Sequence, residues 1–371
     1  MRSSNIELLR IVSMVLIVMF HFSVHGSWPA EGPLASDIAV ECLSFGGKLG
    51  VNCFVLITGY FMVSGRPRLT SLLRVVLETW FYSFALLGIF LAADPALVTE
   101  EKLRRALMPI VSGEYWFITC YLALMVVSPF LNVLYRHLSP TGKSRLAAVG
   151  FVAISLVPTL TAFNPIGNDL VWFFYLYLIG GWLREQRDGG ARPQCALDPT
   201  RIVERWGAAR TFAGCVLVVW AFMALVGWAA RAHGFGSVQP DYLIWQYMVP
   251  TFFAAIGLFR VFATWEMPCV PWVNTLAKTA LGVYLIHDNP IMRAWLWPHL
   301  AWVYPLGPAA ILAAGILSGV AVYAIGSAVD LARIALLERP LFRWLERSWG
   351  PQIQKAGAWL ADIGQPGTRS S

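Results

Sequence analysis

The sequence predicts an all-α, polytopic integral membrane protein of about ten transmembrane helices with both termini cytoplasmic. Three observations carry that expectation. Of its 371 residues, 57% are hydrophobic and only 13% charged, against roughly 25% charged in an ordinary globular chain. Mean hydropathy is +0.61 and there are 17 Trp. The apolar residues fall in runs of about 17 to 25, the length a helix needs to cross a bilayer's hydrocarbon core. The basic residues are distributed unevenly among the connecting segments, as topology requires. Soluble, disordered and collagen-like chains are excluded.

The run over 6–25 lacks a small-residue cleavage site and carries Glu7, Arg10 and His21, so it is expected to remain as the first helix, not to be discarded as a signal. The second, 38–62, contains Gly46-x-x-x-Gly50, a small face that lets another helix approach closely. Runs at 73–92 and 115–135 flank a polar stretch, 94–114, expected outside, whose amphipathic piece 100–111 suits an interfacial helix. After 146–162 and 170–183 comes the longest internal hydrophilic segment, 184–210. With Gly189-Gly190, Pro193 and Pro199 it reads as a flexible cytoplasmic connection, too short for a folded domain. Runs at 211–230, 242–262, 279–297 and 308–335 complete the set. Pro290 should kink or interrupt the ninth, and Gly315-x-x-x-Gly319 gives the tenth a small face. Residues 1–337 are thus one transmembrane domain. The tail, 338–371, mixes Arg339, Arg343, Arg347 and Lys355 with Trp344, Trp349 and Trp359 and reads as a membrane-surface segment.

The formal charge is +7, from 28 Lys and Arg against 21 Asp and Glu. With the N-terminus inside, most of the basic residues become cytoplasmic, from Arg2 and Arg10 through Arg66, Arg68 and Arg74 to the 184–210 connection and the tail with Arg369. Outside remain Lys102, Arg104, Arg105, Arg231 and Arg293, with Lys48 inside a span. The positive-inside rule then accounts for the charge, with anionic membrane lipids as the partner and no need for nucleic acid. The six cysteines form no C-x-x-C pair and mostly fall within spans, so neither disulfides nor a structural metal are expected. No Walker A loop, H-E-x-x-H or G-x-S-x-G is present, which leaves motor ATPases, zincins and elbow-type serine hydrolases without support.

Ionisable side chains inside spans are expensive and mark sites or cavities. Arg10 and His21 are eleven residues apart, which places them on one helix face about 16 Å from each other. Glu7, one turn before Arg10, is positioned to hold it. An Arg near the surface and a deeper His on the same face suit a ligand with an anionic head and a long arm: the guanidinium fork binds phosphate, and imidazole accepts a proton near neutral pH. The same residues admit a plainer reading, with Arg10 snorkelling to headgroups and His21 joining two helices. His25, four residues after His21, offers a second imidazole, but no Cys, Asp or Glu nearby in sequence completes a metal site. The other intramembrane candidates are Lys48 and Asn52, one turn apart, then Glu78, His287, Asp288 and Asp330.

These residues resemble the acyltransferase 3 family of membrane-bound acyltransferases, over most of the chain. Arg10 and His21 match its signature of a basic residue, ten residues, then His. The stretch Gly50 to Phe61 is similar to its second helix, Glu114 to Tyr121 to its Trp-Phe segment, and Gly282 to His287 to its Tyr-Leu-x-His segment. Where many members carry a Glu a few residues after Trp-Phe, this chain has Thr119, Cys120 and Tyr121, with Glu114 just before the pair. The soluble extracytoplasmic domain of many relatives is not expected here. The resemblance implies transfer of an acetyl or short acyl group from cytoplasmic acetyl-CoA to a hydroxyl of a surface polysaccharide or lipid-linked sugar, in a bacterial-type plasma membrane. It implies that His21 is the catalytic base or acyl carrier and that Arg10 binds the donor's phosphates. Lys48, Asn52 and Trp116 are candidates to polarise the acyl oxygen, with Glu7, Glu114 and His287 in support and no metal. The competing class is a carrier or flippase for glycan precursors, since buried charges and a proline-broken helix also describe transporters. It is weakened because no pair of spans shows matching Gly or Pro interruptions.

Overall fold

In the computed structural model the chain is 84% helical. It describes residues 3–65, 68–164, 167–190, 192–234 and 239–362, the side chains only to 359. Arg2, Arg66 and Arg369, which entered the charge reading, lie outside the described residues. Among those described there is no strand.

Helices α1 (Ser4–His25), α2 (Leu34–Met62) and α3 (Leu69–Ala93) open the bundle, followed by the short α4 (Glu100–Leu107) and by α5 (Trp116–His137). Helix α6 (Pro140–Phe151) runs through a π-turn into α7 (Val157–Thr161), and α8 (Asp169–Arg187) follows. Then come α9 (Pro199–Trp206), α10 (Ala208–His233), α11 (Val249–Thr264) and α12 (Pro271–Leu276). Helices α13 (Ala280–His287), α14 (Pro290–Leu296), α15 (Pro308–Arg333) and α16 (Arg339–Asp362) complete the chain. Among the described residues, eight helices are long and apolar enough to cross a membrane. The two other expected spans are α8, whose ends carry Asp169, Arg184, Glu185 and Arg187, and the 279–297 run, which is broken at its Asn289-Pro290 pair into α13 and α14. This is an all-α polytopic membrane protein.

Small residues set the packing. A Cβ on Gly46 would lie 2.8 Å from the Leu16 carbonyl oxygen, and one on Gly50 would lie 2.5 Å from that of Ser13, so α1 and α2 touch backbone to backbone. Gly59 and Gly180 do the same for α2 and α8, with the Tyr177 and Leu56 carbonyls 2.0 and 2.3 Å from the atoms that glycine lacks. Such close approaches let helices gain dispersion contacts where lipid removes the hydrophobic drive. Gly315 and Gly319 receive Leu43 and Met19, which seats α15 on α1 and α2. Helix α10 lies at the rim, and its apolar residues Leu217, Val218 and Leu225 point outward.

Two connections differ from the sequence reading. The 184–210 segment is anchored where flexibility was expected. The fully buried Asp198 accepts hydrogen bonds from Ser144 (2.8 Å), Trp182 (3.0 Å) and the Thr200 amide (2.9 Å), capping α9 and tying it under α6 and α8. Gly and Pro density revealed the turns but not this long-range anchor. A second buried polar knot joins α3 to the end of α15 and the turn that follows it. Arg333 meets Glu78 (3.1 Å), Asp330 (2.7 Å) and Glu338 (2.9 Å), and Tyr82 donates to Asp330 at 2.7 Å.

Candidate active site

Helix α1 forms the axis of the site. Near its start, Arg10 lies 3.4 Å from Glu7. Near its other end, His21 is buried against the break between α13 and α14. Pro290 takes the first position of α14, where its missing N–H costs nothing, and Asn289 caps that helix through Ile291 N (2.9 Å) and Met292 N (3.3 Å). The interruption therefore holds His287, Asp288 and Asn289 in fixed positions at membrane depth.

Imidazoles from two distant helices meet here. His21 Nδ1 is 2.9 Å from His287 Nε2, and His287 Nδ1 is 2.6 Å from the Val283 carbonyl oxygen. A carbonyl only accepts, so His287 carries its proton on Nδ1 and, when neutral, presents a bare Nε2. His21 must then donate from Nδ1, which leaves the lone pair on its own Nε2. The carboxylate oxygen of Asp288 lies 3.4 Å from that nitrogen, with Arg293 3.4 Å from the same oxygen. The arrangement fixes one tautomer of His21 and places an acid where a protonated imidazole would need it.

Three cavities lie end to end along α1. The first, about 560 Å³, is lined by Arg10, Arg68 and Arg74. It shares Arg10, Val75 and Tyr121 with a second of about 150 Å³, which adds Lys278. The second shares Met14, Phe54, Phe117 and Tyr284 with a third of about 270 Å³, which holds His21, His25, Lys48, Glu114, Trp116, Asp288 and Arg293. A basic mouth, an apolar waist and a polar chamber thus succeed one another through the bundle.

The expected site residues divide accordingly. Arg10 lines the basic mouth; His21, Lys48, Glu114 and Trp116 surround the polar chamber. Lys48 faces two indoles, with Nζ 4.4 Å from the Trp116 ring centre and 5.2 Å from that of Trp245, an arrangement that favours the cation through the ring quadrupoles. Glu114 accepts from Ser83 and Asn289, each at 3.3 Å, and burial pushes its carboxyl up to about 7. His287 stands behind His21 as its hydrogen-bond partner. Glu7 stays with Arg10. Asn52 is not brought to the chamber. Its amide is engaged by the Gln246 carbonyl (2.7 Å) and the Trp172 indole (2.9 Å).

Sequence reasoning left Asp288 without a partner and placed Arg293 only in an outer connection. The His-Asp-Asn-Pro run was the available signal, but its partner lies 266 residues away, beyond any spacing rule. His21, His25 and Asp288 bring one ligand atom each within 4.8 Å of one another. Arg293, 3.3 Å from His25 and 3.4 Å from Asp288, already supplies positive charge at that point, so the donor set fits a proton relay better than a cation.

No curated protein and no solved structure matches the chain. A family model described as an acyltransferase domain matches residues 3–327, which includes every side chain of the three cavities. With that coverage, the chain belongs to the acyltransferase 3 family.

Proposed function

We propose that this membrane acyltransferase moves an acetyl or short acyl group from cytoplasmic acyl-CoA to a hydroxyl of a cell-surface or lipid-linked carbohydrate. The single observation that carries the reading is the run of cavities from Arg10 to His21. Three arginines at one mouth suit the phosphates of CoA, the apolar waist suits a thin pantetheine arm, and the polar chamber beyond holds the base. On this reading Arg10, Arg68 and Arg74 bind the donor's phosphates, and the thioester reaches the chamber beside His21. The acceptor hydroxyl oxygen attacks the thioester carbonyl while His21 Nε2 takes its proton. Lys48 supports the charge that gathers on the carbonyl oxygen. The carbon–sulfur bond breaks, the thiolate leaves, and His21 returns the proton to it. The imidazolium formed in between lies against Asp288. The same bare Nε2 is the atom that would carry the acyl group in a two-step route.

The test is release of free CoA by purified protein in lipid nanodiscs, with and without crude bacterial envelope glycan, for wild type and His21→Ala. His21-dependent release supports the reading. Full activity in His21→Ala removes its central residue, and glycan transport without CoA consumption favours a carrier.

A further inference from the structure

A fourth cavity, of about 450 Å³, opens beside the catalytic chamber between α1, α2 and the turn Pro240–Ile244. It shares Phe20, Val24 and Lys48 with the chamber, so those three side chains are a party wall. Its own lining sets a few polar groups in an apolar wall: Glu41, Asp241, Ser23 and Ser44 line it beside Val40, Pro240 and Ile244, with Trp245 among them. Neither carboxylate has an ion-pair partner among the described residues, because Arg231 is engaged by Asp37 and the Gly32 carbonyl. Glu41 Oε2 is occluded and accepts no hydrogen bond. The Trp245 ring lies 5.2 Å from Lys48 Nζ, and the residue is 43% exposed.

From this we infer that the side cavity is the acceptor's sugar subsite, an inference that rests on the proposed transfer to a carbohydrate. A sugar ring supplies what the cavity lacks. Its hydroxyls donate to the two uncompensated carboxylates, and charge-assisted hydrogen bonds of this kind are the strong ones. Its C–H face covers the exposed indole, a side chain that is amphipathic by construction. A neighbouring hydroxyl then projects past Lys48 toward His21 Nε2. Glu41 and Asp241 outnumber the single cation Lys48 in this lining and so disfavour anionic ligands such as phosphate headgroups, and an acyl chain would leave both acids desolvated without a donor. The geometry therefore separates the routes: donor along α1 from the arginine mouth, acceptor from the side at the far end, meeting at one imidazole.

The experiment measures CoA release in nanodiscs against crude bacterial envelope glycan, for wild type and the Glu41→Gln/Asp241→Asn double variant. The glycan concentration giving half-maximal release should rise at least ten-fold, with the maximal rate falling less than three-fold. An unchanged half-maximal concentration overturns the assignment. Because the double variant risks misfolding, Ser44→Cys in a Cys42→Ser background is also assayed before and after labelling with a bulky membrane-impermeant thiol reagent. Ala96→Cys, in the exposed polar connection between α3 and α4, is the control. Labelling should cut glycan-dependent release at least ten-fold at Ser44→Cys and less than two-fold at the control. Equal activity before and after labelling at Ser44→Cys overturns the subsite alone. Absence of glycan-dependent release from the wild type overturns the transfer reading, and the subsite with it.

Discussion

His287 lines none of the four cavities along and beside α1, yet the geometry makes it decide how His21 works. Replacing it by Ala removes the acceptor for the His21 Nδ1–H, now held at 2.9 Å. A buried donor left unpaired costs about 1–3 kcal/mol. If that is relieved only by rotating the ring or moving the proton to Nε2, the productive tautomer loses the same amount. At about 1.4 kcal/mol per factor of ten, kcat should fall roughly 5- to 150-fold. The ceiling is the whole contribution of a general base, about 10² to 10⁴, which His21→Ala forfeits. The assay is steady-state CoA release at saturating acetyl-CoA and glycan for His287→Ala, His21→Ala and the double variant. Because one residue acts through the other, the double variant should be no slower than His21→Ala. Multiplying losses would refute the chain of hydrogen bonds and make His287 an independent participant, and so would His287→Ala at wild-type rate.

Three further outcomes follow from the same structure. Arg10→Ala should raise the acetyl-CoA KM at least ten-fold while changing kcat less, read from donor titrations of CoA release. Arg333→Met leaves Glu78, Asp330 and Glu338 without their shared counter-ion; breaking a buried pair costs about 3–5 kcal/mol, visible as a lower Tm in detergent with or without donor. Glu114, lifted to about 7 from 4.5 by burial, binds its proton more tightly folded than unfolded. Stability should therefore decline as pH rises from about 4.5 through about 7, and Glu114→Gln should flatten that slope in thermal-shift measurements.

Much of this was legible in the sequence, for definable reasons. Apolar run length predicts the helices, because lipid forces each span to satisfy its own backbone. The eleven-residue interval from Arg10 to His21 placed both on one side of α1, since helical spacing is a local property. Pro290 announced the break that exposes Asp288. What stayed illegible is non-local. Nothing near His21 names His287, nothing near 184–210 announces that Asp198 will be buried under α6 and α8, and Asn52 looked free because Trp172 and Gln246 are far away in sequence. Lys48 showed that it needed compensation, and the two indoles that supply it are far away in sequence. Spacing rules see one helix at a time, whereas every one of these partnerships crosses between helices.

The waist between the basic mouth and the polar chamber has an electrical consequence. A passage through a bilayer is a short circuit unless some stretch of it refuses ions. A membrane potential rewards each escaping charge with about 2.3 kcal/mol per 100 mV. Met14, Phe54, Phe117 and Tyr284, shared by the second cavity and the chamber, put one thioether and three aromatic rings at that junction, a lining on which water and protons do not thread readily. On the proposed reading, a neutral short acyl group on a slender arm crosses such a seal while a hydrated ion does not. The protein can therefore be read as an insulator that passes a chemical group and no current, and widening the waist by Phe117→Ala would be expected to show first as proton leak across proteoliposomes.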